Sequence, residues 1–266
     1  MKYLRFLVIV LFITFTGNLT AQTLNGMSLN GTTGLYSIPT GRIGWGNNNL
    51  AVDMGYHTII SEGTATHIPK VSLSLFRWVE LSAAFDIQPE RHTTPDKNTD
   101  FIGGAKVQIP LPPLAFLALG GNIQTLNLFE DRDYRYNAGQ IFASLTYGGR
   151  FFDWPAETTM VIGKTFIEDH SDSTIDFGMG FTLVLLPNIF GNNVHWISDF
   201  ANFSYSVDAY GANAWARGVM NTGIRIDLGL IPVLRRFKFI LDVSLVDILD
   251  HNRAFSMGAV FGIPLM

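Results

Sequence analysis

The sequence has no cysteine among its 266 residues. This absence excludes disulfide frameworks, thiolate metal sites, thiol catalysis and lipidation on an N-terminal cysteine. Charged residues are also scarce, at 15% of the chain against about 25% in an ordinary soluble domain. Beyond residue 17, no uninterrupted apolar run approaches the roughly 18 residues that a transmembrane helix requires. A helical membrane protein is therefore disfavoured, and with 47% hydrophobic residues the chain is too apolar for disorder.

The first residues carry the pattern of a secretory signal peptide. Lys2 and Arg5 form a short positive region, residues 6–16 are almost wholly apolar, and a polar stretch ends at Ala21. The alternative, an uncleaved anchor helix, needs about 20 apolar residues, so we predict a signal peptide over residues 1–21. The formal net charge of −4 and the lack of a basic run argue against nucleic acid as a partner.

Most of the remaining chain alternates large apolar side chains with small or polar ones, a period of two that is typical of β-strands. In one clear segment, Ile175, Phe177 and Met179 face one way, whereas Asp176 and Gly178 face the other. The pattern predicts about twelve strands, within a range of about ten to fourteen. The predicted segments are residues 50–60, 71–75, 79–87, 101–109, 117–123, 140–147, 158–166, 175–185, 202–207, 220–228, 237–245 and 255–265.

The predicted connections fall into two classes that alternate along the chain. One class is short and rich in apolar or aromatic residues, as at residues 76–78, and the other is mostly longer and polar, as at residues 89–100. Two alternating classes indicate two ends in different surroundings. Trp78, Trp154 and Trp196 lie at or near the short class, as in the aromatic girdle of a membrane interface.

These features distinguish two all-β architectures. A soluble β-sandwich also has period-two strands, but its outer face is polar and charged. Here the second face consists mostly of Gly, Ser, Ala, Thr and Asn, which suits an enclosed lumen better. A strand of about 10 residues tilted near 45° rises about 23 Å, close to the apolar band of an outer-membrane barrel. We therefore predict a closed antiparallel transmembrane β-barrel over residues 48–266, in the outer membrane of a diderm bacterium.

The inward face of this barrel is predicted to carry charges of both signs. Such a lumen is either an ion-paired plug or a mixed-charge constriction for a polar solute, because enclosed charges must be paired or hydrated. The predicted lumen-lining residues are Asp53, His57, Glu80, Asp86, Lys106, Lys164, Asp176, Arg225, Asp227, Lys238 and Asp242, with Gln108 beside them.

A motif precedes the first clear strand. It consists of Gly34-Leu35, then Pro39-Thr40, then Arg42, and it resembles the opening of YjbH-like outer-membrane proteins. Gly41 stands where that resemblance leads us to expect alanine. The resemblance implies a β-barrel associated with exopolysaccharide production and export. We expect residues 22–47 to fold into the periplasmic mouth or the lumen, with Arg42 pairing a luminal carboxylate; a linker next to the signal peptide is the alternative.

The sequence contains no catalytic constellation that we recognise. The six histidines include no metal-ligand pair such as His-x-x-x-His, and no Gly-x-Ser-x-Gly motif occurs. Two acidic segments, residues 130–133 and 168–172, match no ordered calcium loop, so simple solvation is the better interpretation. We therefore expect no catalytic residue, metal or cofactor.

Three functions stay open at this level. The first is passage or export of a polar solute, such as a saccharide; the second is a structural or surface-interaction barrel with a closed lumen. The third and weakest is an outer-membrane enzyme acting through His57, the one inward histidine. The expected partners are outer-membrane lipid and lipopolysaccharide, the barrel-assembly machinery and polysaccharide-export components, and we expect a monomer.

Overall fold

The computed structural model describes residues 25–61, 64–87, 99–111, 114–126, 136–167, 175–202, 218–230, 234, 237–249 and 253–266. The predicted signal peptide and both acidic segments lie outside these ranges. Within them, no helix is long and apolar enough to cross a membrane.

Twelve antiparallel strands in these ranges form one closed barrel, which confirms the predicted fold. Each strand pairs with the next along the chain, and β1 closes the barrel by pairing with β12. A single helical turn, α1 (Pro187–Phe190), lies between β8 and β9. The strands are β1 Leu50–Ser61, β2 Thr64–Leu75, β3 Val79–Ile87, β4 Thr99–Leu111, β5 Ala115–Leu126, β6 Tyr136–Phe151, β7 Trp154–Ile167, β8 Asp176–Val184, β9 Val194–Ala201, β10 Val219–Asp227, β11 Lys238–Val246 and β12 Ala254–Pro264.

Burial in this barrel is the reverse of that in a soluble protein. On β1, the outward side chains of Met54, Tyr56 and Ile60 are between 44% and 50% exposed, whereas Asp53 and His57 point inward and are 1% exposed. The same contrast recurs around the barrel. An apolar outer surface on a closed barrel is what a bilayer requires, because hydrocarbon solvates apolar side chains and cannot pair backbone groups.

The ninth strand was predicted at the wrong place. We expected it at residues 202–207, but β9 runs from Val194 to Ala201, and residues 203–207 lie outside the described ranges. The alternation is inverted in the middle of β9, where Ile197 points inward and Ser198 lies on the outward face. The second strand also begins earlier than expected, at Thr64 rather than residue 71.

The short connections carry aromatic residues in strained turns. Phe76 and Arg77, between β2 and β3, have φ values of 54° and 67°, and Phe152 and Asp153, between β6 and β7, have 47° and 68°. Two consecutive left-handed residues match the type I′ hairpin turn, which favours Asn-Gly. The Phe76 and Phe152 side chains are 70% and 84% exposed. These turns therefore present bulky aromatic residues where glycine or asparagine would fit the backbone better.

This strain predicts that Arg77→Gly stabilises the barrel. Glycine adopts positive φ without the steric cost of a β-carbon, so the free energy of unfolding should rise by about 1 kcal/mol. Urea unfolding of the refolded protein, followed by heat-modifiable gel mobility, measures this change. Arg77→Ala is the matched control, because alanine keeps the β-carbon. An equal gain in both variants would contradict a backbone origin.

Candidate functional site

The segment before β1 lies inside the barrel, and we call residues 25–47 the plug. Every residue from 26 to 41 is buried. The plug folds through its own turns: the Leu29 amide donates to the Tyr36 carbonyl at 2.9 Å, and the Leu35 amide donates to the Ile38 carbonyl at 3.0 Å. Two isolated bridges, between residues 27 and 33 and between residues 34 and 39, complete it. The Gly34 to Arg42 motif thus belongs to the segment that fills the lumen.

Apolar side chains of the plug pack against apolar positions on the inward face of the wall. Leu29 and Tyr36 belong to one cluster and Leu35 and Ile38 to a second, whereas Met27 packs in a third. Their wall partners include Ile68 and Ile102, then Phe142 and Val161, then Ile240 and Val260. These contacts explain why the alternation is imperfect in several strands: the wall turns apolar side chains inward where the plug contacts it.

Two buried carboxylates of the wall accept hydrogen bonds from the plug backbone. Glu80 accepts from the Thr33 amide at 2.7 Å and the Gly44 amide at 2.9 Å, and also from the Thr33 hydroxyl. Asp199 accepts from the amides of Tyr36 and Ser37 at 2.8 Å and 2.6 Å. Hydrogen bonds to an ionised acceptor are about twice as strong as neutral ones, so these carboxylates hold the plug turns firmly.

Three wall cations bind the plug carbonyls in the complementary way. Lys106 donates to the Thr33 carbonyl at 2.6 Å, Lys70 donates to the Ser28 carbonyl at 2.6 Å, and Arg225 donates to the Gly34 carbonyl at 2.9 Å. Because the wall contacts main-chain groups, it satisfies the buried backbone of a segment that has little regular secondary structure.

The wall charges are also paired with one another. Arg225 forms a bidentate pair with Asp242 at 2.8 Å and 3.0 Å, and His57 Nε2 lies 3.3 Å from the same carboxylate. Lys106 Nζ lies 3.4 Å from Glu80. Within the wall, therefore, cations and carboxylates offset the cost of removing each other from water.

Two further contacts hold the end of the plug near β1. Lys238 donates to the Gly44 carbonyl at 3.0 Å, and Trp45 donates to Asp53 at 2.7 Å. Lys238 and Asp53 also form an ion pair with each other at 2.7 Å. Arg42 pairs with Glu157 of β7 at 2.5 Å, which is the kind of luminal carboxylate that we predicted for it.

The structure places ten of the eleven predicted lumen-lining residues on the inward face. Asp86 and Asp176 line the end opposite the short turns, and Asp227 lies at the short-turn end. The contacts of the other seven are given above; these residues are Asp53, His57, Glu80, Lys106, Arg225, Lys238 and Asp242.

The prediction that Lys164 faces the lumen is wrong. Lys164 pairs with Ile141, which is 61% exposed on the outer surface, and it shares the outward face of β7 with Ile162 and Phe166. The sequence signal is weak here because the outward face includes Thr158 and the inward face includes Val161, so polar character does not identify the register.

Four inward charges on the strands were not predicted from the sequence; one of them, Asp100, pairs with Asp86 and lies one residue before the predicted start of β4. Lys70 and Asp199 lie in parts of β2 and β9 that were not predicted as strand, and Glu157 precedes the predicted start of β7. A charged residue inside an extended apolar segment was the available signal for Asp199, since Ile197 and Phe200 surround it.

The lumen is closed at the level of the plug. Asp53, Glu80, Lys106 and Arg225 are each 1% exposed, so no water-filled pore passes beside them in this conformation. His57 is equally buried, and its Nε2 faces Asp242. In the described part of the chain, no cluster of three or more His, Asp or Glu residues is arranged to hold a metal ion.

No protein-family model and no curated protein matches the chain. Among solved structures, the KdgM porin in complex with disordered oligogalacturonate superposes with a TM-score of 0.51 at 7% identity, over 79% of this chain and 98% of that chain. LpxR from Salmonella typhimurium gives 0.46 at 9% identity, over 80% and 99%. Omp33 from Acinetobacter baumannii gives 0.43 at 10% identity, over 81% and 98%. With its apolar outer surface, the chain is an outer-membrane β-barrel of porin-like fold.

The tight fit of the plug predicts that Gly41→Ala disturbs it. A β-carbon at Gly41 would overlap the carbonyl oxygen of Phe116, which is main chain and cannot rotate away. We expect a loss of about 1–3 kcal/mol in the free energy of unfolding, and faster proteolysis of the plug in the folded barrel. Gly46→Ala is the matched control, because its β-carbon would lie 3.8 Å from the nearest group, Gln108. Equal behaviour of the two variants would contradict this account of plug packing.

Proposed function

We propose that the protein is a plug-gated passage for a polar solute across the outer membrane. The observation that carries the proposal is the pairing of charges within the wall. Because Arg225 with Asp242 and Lys106 with Glu80 are wall pairs, these four charges keep their partners when the plug moves, whereas Lys70, Asp199 and Glu157 lose the plug groups that they bind. Displacement of the plug uncovers a polar surface on which water replaces the plug groups, and the two wall pairs limit the number of charges that must be solvated anew.

A saccharide is the solute class that suits such a wall. The groups that bind the plug are carboxylates that accept hydrogen bonds and cations that donate them. Sugar hydroxyls both donate and accept, so one hydroxyl-rich solute can use both kinds of group. The KdgM porin, which has the same fold, is described with an oligogalacturonate, and this supports a saccharide as a solute that the fold can accommodate.

The resemblance of the Gly34 to Arg42 motif to YjbH-like proteins extends the proposal to exopolysaccharide export. On this proposal, polysaccharide-export components deliver the solute from the periplasm, the barrel-assembly machinery inserts the chain, and the barrel acts as a monomer. The protein has no catalytic role in this scheme, since the buried His57 serves as a partner of Asp242.

One observation favours a second function, a closed scaffold. The apolar plug residues Leu29, Leu35 and Ile38 are between 0% and 2% exposed, and their exposure on opening costs free energy. If that cost keeps the plug in place permanently, the loops and outer surface carry the function.

A disulfide that fixes the plug to the wall distinguishes these functions. A β-carbon at Gly178 of β8 would lie 3.7 Å from that of Ile38, within the range for a disulfide, and the native chain has no cysteine to interfere. We expect the Ile38→Cys/Gly178→Cys protein to show ion conductance in planar bilayers when reduced. Oxidation should lower the number of openings at least tenfold, because the plug can no longer leave the lumen.

The control is the Gly178→Cys/Ala201→Cys protein, whose disulfide joins β8 to β9 within the wall. The β-carbon separation there is 3.4 Å, and the two residues are a registered pair. Its conductance should not depend on oxidation. Openings that persist in the oxidised Ile38→Cys/Gly178→Cys protein would show that the plug is not the gate. A wild-type barrel that is folded but silent at all voltages would favour the closed scaffold.

A further inference from the structure

A groove of about 360 Å³ crosses the outer surface of β4, β5 and β6 near the end opposite the short turns. Phe101 and Ile123 form its apolar body, and Thr125 and Asn137 line its polar rim. These four residues and Gly139 all lie on the outward face, because Thr125 pairs with both Phe101 and Asn137, and Ile123 pairs with Gly139. The groove therefore opens to the bilayer.

The groove exists because Gly139 leaves the outer face beside Ile123 without a side chain, whereas the ring of Phe101 lies 3.1 Å from the place of a β-carbon at Gly103. One row of paired outward residues runs from Gly103 through Ile123 and Gly139 to Phe166. A β-carbon at Gly139 would meet no atom within 4 Å, and Ile123 stands between the two glycines with 67% of its surface exposed. A gap of this kind in a lipid-facing wall fits an extended hydrocarbon chain.

A cation lies beside this gap. Lys164 is on the outward face of β7, paired with Ile141 and two residues from Phe166, the partner of Gly139. It follows Trp154, the first residue of β7, by ten positions, and at about 3.3 Å per residue and a tilt near 45° this is about 23 Å up the barrel. That height is where an apolar band of about 25 Å meets the outer headgroups. A lysine there is favourable when its ammonium group reaches an anionic headgroup.

We propose that this surface is a lipopolysaccharide-binding site, in which the groove holds one acyl chain and Lys164 binds a phosphate. The end opposite the short turns faces the cell exterior in barrels of this class. The lipid of that leaflet is lipopolysaccharide, whose anchor carries both phosphates and several acyl chains. The Thr125 hydroxyl at the rim accepts from the Phe101 amide at 3.1 Å and keeps a proton to donate to polar groups where an acyl chain joins its headgroup. The site is independent of the plug and of solute passage.

Two substitutions separate the two halves of the site. Lys164→Gln removes the charge, and Gly139→Leu adds a side chain to the groove at a position where a β-carbon meets no atom within 4 Å. Lys164→Arg keeps the charge, and Ala143→Leu adds the same side chain to the outward face of β6 without filling the groove, since Ala143 is not part of its lining. Native mass spectrometry of the full barrel, extracted in mild detergent and incubated with purified lipopolysaccharide, measures the lipid that each protein retains.

We expect Lys164→Gln and Gly139→Leu each to retain at least fivefold less lipopolysaccharide than the wild type, while Lys164→Arg and Ala143→Leu retain wild-type amounts. Heat-modifiable gel mobility shows that every variant is folded. Equal retention by all five proteins would overturn the proposal. Retention of phosphatidylglycerol that falls by the same factor in Lys164→Gln and Gly139→Leu would overturn the assignment to lipopolysaccharide, because the surface would then bind any anionic lipid.

Discussion

The whole structure depends on one constraint: a backbone amide or carbonyl that is removed from water must find a partner. The twelve strands meet this constraint through closure, since the pairing of β1 with β12 leaves no edge strand. The plug cannot meet it in the same way, because its own bonds are a few turns and two isolated bridges. The wall supplies the missing partners, with Glu80 and Asp199 accepting from plug amides and Lys106 and Arg225 donating to plug carbonyls.

This arrangement accounts for charges in the interior of a chain that has few of them. Each cation that donates to a plug carbonyl lowers its own desolvation cost, and Arg225 and Lys106 also have carboxylate partners within the wall. On the proposed gating, Arg225 and Lys106 bind the plug when the lumen is closed and keep their carboxylate partners when the plug moves. Apolar contacts add to closure where the plug presents Leu29, Leu35 and Ile38, so closing the lumen combines polar specificity with hydrophobic burial.

The outer surface meets a different requirement, because lipid rather than water surrounds it. Phe76 and Phe152 occupy turn positions that their backbone conformation disfavours, and both side chains are exposed at the level of an aromatic girdle. At the opposite interface, Gly139 opens a gap and Lys164 places a charge beside it. The phenylalanines fit their turn backbone poorly, and the gap and the lysine leave the outer surface less well packed and less well solvated by the protein. Both features lie where the barrel contacts the membrane interface.

The alternation of residues in the sequence was sufficient for the all-β class, the closed barrel, the number of strands and the inward position of most charged residues, because side chains on a strand alternate strictly between two faces. It failed for β9 and for Lys164, where the faces do not differ in polarity. The Gly34 to Arg42 motif could be recognised, but the wall groups that bind it and the adjoining Thr33 could not, since Glu80, Asp199 and Arg225 are 47, 163 and 191 residues along the chain from the groups that they contact. Only the tertiary structure brought these groups together, because main-chain contacts to a plug leave no periodic signature in the sequence.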